Sequence, residues 1–158
     1  SALSWTTLPV VQTRSTVSTA AQNAPLIIPY DDTIPQIGEG TLLLSTAITP
    51  RYTGRLIVEF TASLANTSVA ANIIVALFQD ATANALTAGA FWCAAAGSGT
   101  PLSLRYVVPA AVAGVPTTFT IRYGISTAGS AFILTGNSGT GTLGAVPQMS
   151  LTVTELAP

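Results

Sequence analysis

The sequence has no histidine, no lysine, one cysteine (Cys93) and only five basic and six acidic residues among 158. Without histidine, neither a Ser-His-Asp nor a Cys-His nucleophilic arrangement can be assembled. Without lysine there is no Schiff-base nucleophile and no P-loop. A single thiol makes no intrachain disulfide, and zinc centres draw mainly on Cys and His. The five arginines, Arg14, Arg51, Arg55, Arg105 and Arg122, are dispersed and form no basic run for a nucleic-acid backbone. No stretch approaches the ~18 consecutive apolar residues of a membrane span. These absences predict a non-enzymatic protein with no cofactor, no nucleic-acid partner and no membrane span.

What is present is apolar and neutral. Hydrophobic residues make up 49% of the chain and charged residues 7%, against roughly 25% charged in ordinary domains. Such a chain is too rich in branched aliphatics to be disordered, and its length fits one domain with a real core. Its polar surface has to be built from Thr, Ser, Asn and Gln. At a formal net charge of −1 that surface offers little colloidal repulsion, which points to an oligomer or a part of a larger assembly.

Residues 1–25, SALSWTTLPVVQTRSTVSTAAQNAP, keep no sustained helix or strand period and read as an extended arm held by the domain's own surface, a sister subunit or a larger partner, with a partner contact favoured. Trp5, Leu8, Val10 and Val11 are its apolar anchors. From residue 26 to 158 the chain reads as one β domain. Strands are expected at 26–29, 41–50, 55–64, 72–80, 85–96, 102–110, 117–126, 130–137 and 149–156, the sixth ending at Pro109. The segment RLIVEFTASL alternates most cleanly, and NIIVALFQD is apolar throughout, as in a strand covered on both faces. The separators are turn-formers such as DATAN, AGSGTP and TAGS, spaced at the ~8–12 residues typical of sandwiches. No segment supports an amphipathic helix, and parallel pairing would need longer crossovers. The fold expected is all-β: an antiparallel two-sheet jelly-roll sandwich.

The run AITPRYTGRLIVEF at 47–60 resembles the tumour-necrosis-factor/C1q-like jelly rolls, in which a Pro-bounded turn and a Gly precede a long alternating core strand. YDDTIPQIGEGTLLLSTAITP, IIVALFQDATANAL and SLTVTEL resemble domains of tailed-bacteriophage fibre and virion-surface proteins, over roughly residues 29–156. The resemblance implies a homotrimer on the outside of a virion, as a head fibre, spike or capsid decoration subunit contacting other virion proteins. A host-surface glycan is the alternative partner. The short length favours a decoration or spike over a long tail fibre, with the arm as attachment device. SALSWTTLPVV has neither the basic region nor the continuous apolar run of a secretory signal, and Ser1 reads as the residue left after initiator-Met removal; the expectation is synthesis in a host cytoplasm. A secreted C1q-like lectin fits poorly, with no export signal and no disulfide framework.

The densest acid lies in YDDTIPQIGEG at 30–40. Asp31, Asp32 and Glu39 are calcium candidates by residue type, because hard cations take loop carboxylates. Adjacent aspartates without a D-x-D-x-D-G series fit better a structural corner, with one Asp closing an Asx-type turn and another pairing with Arg51 or Arg55. A glycosidase dyad would need two carboxylates facing across a cleft. Glu59 and Arg122, both mid-strand, are candidates for an intersubunit ion pair or for a solvated surface pair. Cys93 reads as a small core residue. Trp92, Tyr106 and Tyr123 would serve a sugar-stacking platform if exposed, and otherwise belong to core or interface. Tyr52, in the RYTG turn, is a candidate receptor contact, and the glycine-rich 137–148 loop a candidate contact surface.

Overall fold

The stretch Leu56-Ile57-Val58-Glu59-Phe60-Thr61-Ala62 buries every second side chain, and it lies in the longest strand. The protein is described here by a computed structural model covering residues 9–134, 143 and 146–158. Among these residues there is no α-helix, and ten strands follow in order: β1 (Val10–Ser18), β2 (Gln22–Ala24), β3 (Thr41–Ile48), β4 (Gly54–Thr67), β5 (Ala71–Gln79), β6 (Thr87–Cys93), β7 (Thr100–Ala111), β8 (Thr117–Ile125), β9 (Ala131–Ile133) and β10 (Met149–Leu156).

The pairing is nested. β5 pairs β6, β4 pairs β7, β3 pairs β8 and β1 pairs β10, all antiparallel, so each pair encloses the one before it in the sequence. Folded over itself, this long hairpin gives two sheets. One runs β1-β10-β4-β7, with β9 and β2 continuing it beside the far end of β4; the other runs β3-β8-β5-β6. The fold is the antiparallel two-sheet jelly roll that the alternation predicts.

Between the sheets, Leu56, Val58 and Phe60 of β4 and Leu151 and Val153 of β10 meet Ile73, Val75 and Leu77 of β5 and Phe119, Ile121 and Tyr123 of β8. Each large side chain fully buried there contributes about 1.5–3 kcal/mol of transfer free energy. Cys93 lies in this core.

The N-terminal region departs from expectation. Residues 10–18 do not await a partner: they are the edge strand β1, in register with β10 from Val10↔Leu156 to Ser18↔Met149. The domain boundary expected at 25/26 therefore cuts through the sheet. The row of β1 facing the sandwich is polar (Gln12, Arg14, Thr16), which hid the strand from a hydrophobic-periodicity reading. It closes the corner by hydrogen bonds: Gln12 Nε2 donates to Thr49 O (2.8 Å) and Thr16 Oγ1 to Ser45 O (2.8 Å). Trp5 and Leu8 lie outside the described residues.

Nor is 26–29 a regular strand. Ile27 forms an isolated parallel bridge to Ile125, and Pro29, lacking an N–H, ends the pairing. β7 runs on past Pro109 to Ala111, because its pairing with β4 shifts register between Leu56 and Gly54, where a missing donor is tolerated.

Residues 26–40 instead form a strap across the outer face of the second sheet. Ile74, Ala76 and Phe78 of β5 point away from the inter-sheet core yet are buried, together with Ile28 of the strap. Arg122 of β8 fastens the strap's end, donating from Nε to Glu39 O (2.7 Å) and from Nη2 to Gly40 O (2.8 Å). Ile37 N to Ala83 O (2.8 Å) and Ala85 N to Pro35 O (3.0 Å) tie it to the β5–β6 connection. The strap seats closely because β8 carries Gly124 beneath it: a Cβ there would stand 2.6 Å from Leu26 O and 3.0 Å from Ile28. Gly124→Ala should therefore lift the strap and destabilise the fold by about 1–3 kcal/mol. Urea denaturation measures this, and an unchanged midpoint would show that the strap is not seated on β8.

Candidate functional site

No three His, Cys, Asp or Glu side chains gather into a metal-binding group among the described residues. In the acidic stretch each carboxylate with a partner serves its own loop. Asp31 Oδ1 accepts from Thr33 N (2.8 Å) and Thr33 Oγ1 (2.6 Å), an Asx turn. These bonds, the hydroxyl's first, hold the Asp31 carboxyl below its usual range. Glu39 Oε2 accepts from Gln36 N (2.9 Å), closing the turn that Arg122 grips from below. Asp32 is exposed. Neither Arg51 nor Arg55 is the partner of this stretch. Burial pushes the Cys93 thiol up, against a smaller opposing hydrogen bond from Thr67, so it is no ready nucleophile.

The outer face of the first sheet is flat and hydroxyl-clad. Pointing outward are Thr13 and Ser15 of β1, Ser150, Thr152 and Thr154 of β10, Thr61 and Ser63 of β4, and Ser103 of β7. Several pair across strands: Ser15 Oγ with Thr152 Oγ1 (2.8 Å), Thr61 Oγ1 with Ser150 Oγ (3.1 Å) and Thr13 Oγ1 with Thr154 Oγ1 (3.4 Å). Among the described residues the one ion pair lies on this face, between Glu59 and Arg105 (3.4 Å), directly opposite in the β4–β7 ladder. Both side chains are at least half exposed, so it contributes at most about 1 kcal/mol. Glu59 and Arg122 are thus on outer faces of opposite sheets, and each already has a partner in its own chain.

One end of the sandwich carries an apolar tip. Tyr52 in the β3–β4 turn is 50% exposed, and Val112 and Val115 of the β7–β8 loop are exposed as well. The loops are joined by Gly114 N to Pro50 O (2.8 Å) and Ala113 N to Thr53 Oγ1 (3.3 Å). Val10, exposed, and Val11, half-buried, begin β1 at this same end. Beneath the turn lies Glu155 of β10, 1% exposed. Its Oε1 accepts from the consecutive amides of Arg51 and Tyr52 (2.8 Å each), and its Oε2 from Gln12 Nε2 (2.7 Å). One carboxylate thereby ties β1, β10 and the Tyr52 turn together.

Sequence reasoning passed over Glu155, although MSLTVTEL signals it: in that alternation Met149, Leu151 and Val153 face inward, and Glu155 takes the next inward place. The hydroxyl face was equally legible as the outward row of the same strand. Of the three aromatics considered for stacking, Tyr123 is fully buried and Tyr106 packs against the core, whereas Trp92 is 60% exposed. The Tyr123 hydroxyl has no hydrogen-bond partner among the described residues, and burial pushes its pKa up.

No protein-family model matches the chain, and no curated protein matches it in sequence. Solved structures do. Eiger TNF from S. frugiperda superposes with a TM-score of 0.51 at 12% identity, over 94% of each chain. PRD1 vertex protein P5 gives 0.45 at 14% identity, over 94% of this chain and 99% of that one. A carbohydrate-binding module from Cellvibrio mixtus lichenase 5A, in complex with cellotriose, gives 0.38 at 10% identity, over 94% and 100%. The likeness to Eiger is one of fold, and the jelly roll is TNF-like.

Glu155 yields a pH prediction. Burial alone would raise its pKa, but the Arg51 and Tyr52 amides, Gln12 and the nearby Arg51 charge outweigh it and leave the value below the ordinary 4.5. A carboxyl depressed in the folded state contributes stability that is present above 4.5 and is lost as pH falls through its folded value. Glu155→Gln should cost about 1–3 kcal/mol at pH 7. The two proteins should converge in stability on acidification, as followed by urea denaturation across pH 2–7. A constant difference over that range would rule out the carboxylate as its source.

Proposed function

We propose that the chain is a non-enzymatic structural subunit on the surface of a bacteriophage particle, a head fibre, spike or capsid decoration protein that works as a homotrimer. The observation that carries this reading is the flat outer face of the first sheet. Its hydroxyls are largely paired with one another, so a second protein surface can cover them with little unpaired polarity left behind. The ion pair on this face, Glu59 with Arg105, is already matched within the chain. The particle context comes from the resemblance drawn from the strings YDDTIPQ and ALFQDATANAL.

In this reading the Tyr52 end is the attachment end. Residue 9 lies at this end, tethered by Ala157 N to Pro9 O (2.9 Å), where Tyr52, Val112 and Val115 are exposed, and Trp5 and Leu8 of the preceding segment are the proposed anchors. Other virion proteins are the partners, and the particle is the location.

Light scattering on the full chain should give three times its chain mass. Thr152→Arg, at the centre of the hydroxyl face, should give a folded monomer, and a variant that keeps the wild-type mass would exclude this face as the contact. Removal of residues 1–8, which spares β1, should leave a trimer that no longer joins particles. A deletion through residue 24 would strip β1 and β2 from the sheet and test stability instead. Full occupancy of particles by the short truncation, counted by cryo-electron microscopy, would overturn the attachment role.

A further inference from the structure

The strap does not lie flush along its whole length. Between its residues 29–35 and the outer side of the β5–β6 hairpin runs a groove with two lobes, of about 180 and 320 Å³, which share Thr33, Pro35 and Ala88. Its floor is made of small side chains, Ala88 and Ala90 of β6, with Ile74 of β5 beside them. Tyr30 lines the smaller lobe and is 67% exposed. Trp92, also exposed, is the next outward-facing residue of β6 after Ala90, about 7 Å along the strand. One accessible aromatic ring thus lines the groove and a second stands one outward position beyond its small-sided floor.

The polar groups have a definite pattern. Asp31 lines the same lobe, and its Oδ1 is committed to Thr33, which fixes the carboxylate and leaves Oδ2 without a partner among the described residues. No basic side chain lines either lobe, and the nearest arginine on this sheet, Arg122, is engaged with Glu39 and Gly40 carbonyls. Asp32 adds a second negative charge to the rim. Anions are repelled here. An apolar ligand would leave the oriented carboxylate oxygen unsolvated and unpaired.

We propose that this groove binds a neutral saccharide, whose C–H face rests on Tyr30 or Trp92 and whose hydroxyls donate to Asp31 Oδ2. A sugar ring presents what the groove lacks: an apolar face for the aromatic rings and a row of O–H donors for a fixed acceptor. The absence of any cation excludes sialylated, sulfated or phosphorylated glycans from the same seat. The groove lies on the outer side of the second sheet, opposite the hydroxyl face of the first, with its larger lobe toward the β5–β6 connection.

The experiment is a glycan array probed with the full-length protein, carrying neutral hexose and N-acetylhexosamine oligosaccharides beside their sialylated, sulfated and phosphorylated counterparts. Neutral glycans should be retained and their acidic counterparts not. Tyr30→Ala and Trp92→Ala, both at exposed positions, should keep the wild-type melting temperature and weaken retention about tenfold or more. Tyr30→Phe should bind nearly as the wild type, and Tyr52→Ala, in the β3–β4 turn and outside both lobes, should not alter binding. The proposal is overturned by an array without neutral ligands, by a preference for acidic ones, or by binding that survives both alanine variants. It does not rest on the trimeric assembly, and Thr152→Arg tested on the same array would separate the two: loss of the trimer without loss of binding leaves the groove standing.

Discussion

Ile73, Val75 and Leu77 of β5 point into the sandwich while Ile74, Ala76 and Phe78 point away from it, and both rows are withdrawn from water. A strand of this kind has to be covered twice. The facing sheet supplies the first cover and the strap the second. That requirement explains features that otherwise look unrelated: glycine at 124 and 40, where backbone passes over backbone, and an arginine on β8 spent on two strap carbonyls. It also explains why a loop rich in Asp, Pro and Gly is ordered enough to wall a groove.

The few charges follow one habit. Glu155 binds the amides of Arg51 and Tyr52, Asp31 that of Thr33, Glu39 that of Gln36, and Asp80 that of Thr118, while Arg122 binds carbonyls. Charge is used to fasten turns, where a hydrogen bond to an ionised group is worth about twice a neutral one. On the outer face of the first sheet, hydroxyls paired across strands accompany the Glu59–Arg105 pair.

The body of the jelly roll was legible because β4, β8 and β10 carry apolar residues at period two, β5 is apolar throughout, and the separators carry turn chemistry. β1 was not, because its inward row is the polar Gln12, Arg14 and Thr16, of which Gln12 and Thr16 close a sandwich corner by hydrogen bonding. The apolar run at 26–29 misled in the opposite direction: Ile28 is buried against Gly124 and Gly40, a packing that no strand period reports. The acidic turn's bonding could be anticipated from Asx chemistry. The groove beside it could not, since it depends on how the strap passes Ala88 and Ala90, far away in sequence.

The nested pairing places the first strand of the jelly roll against the last. β1 lies against β10, and half of the hydroxyl face is contributed by these two strands together. During synthesis, β1 emerges before the other strands, and its ladder partner, Met149–Leu156, emerges after them. The inner pairs, β5 with β6 and then β4 with β7, close over shorter separations and form sooner. The surface through which subunits would meet is therefore the last to exist. An unfinished or broken chain lacks it, and assembly through that face admits only subunits whose folding is already complete.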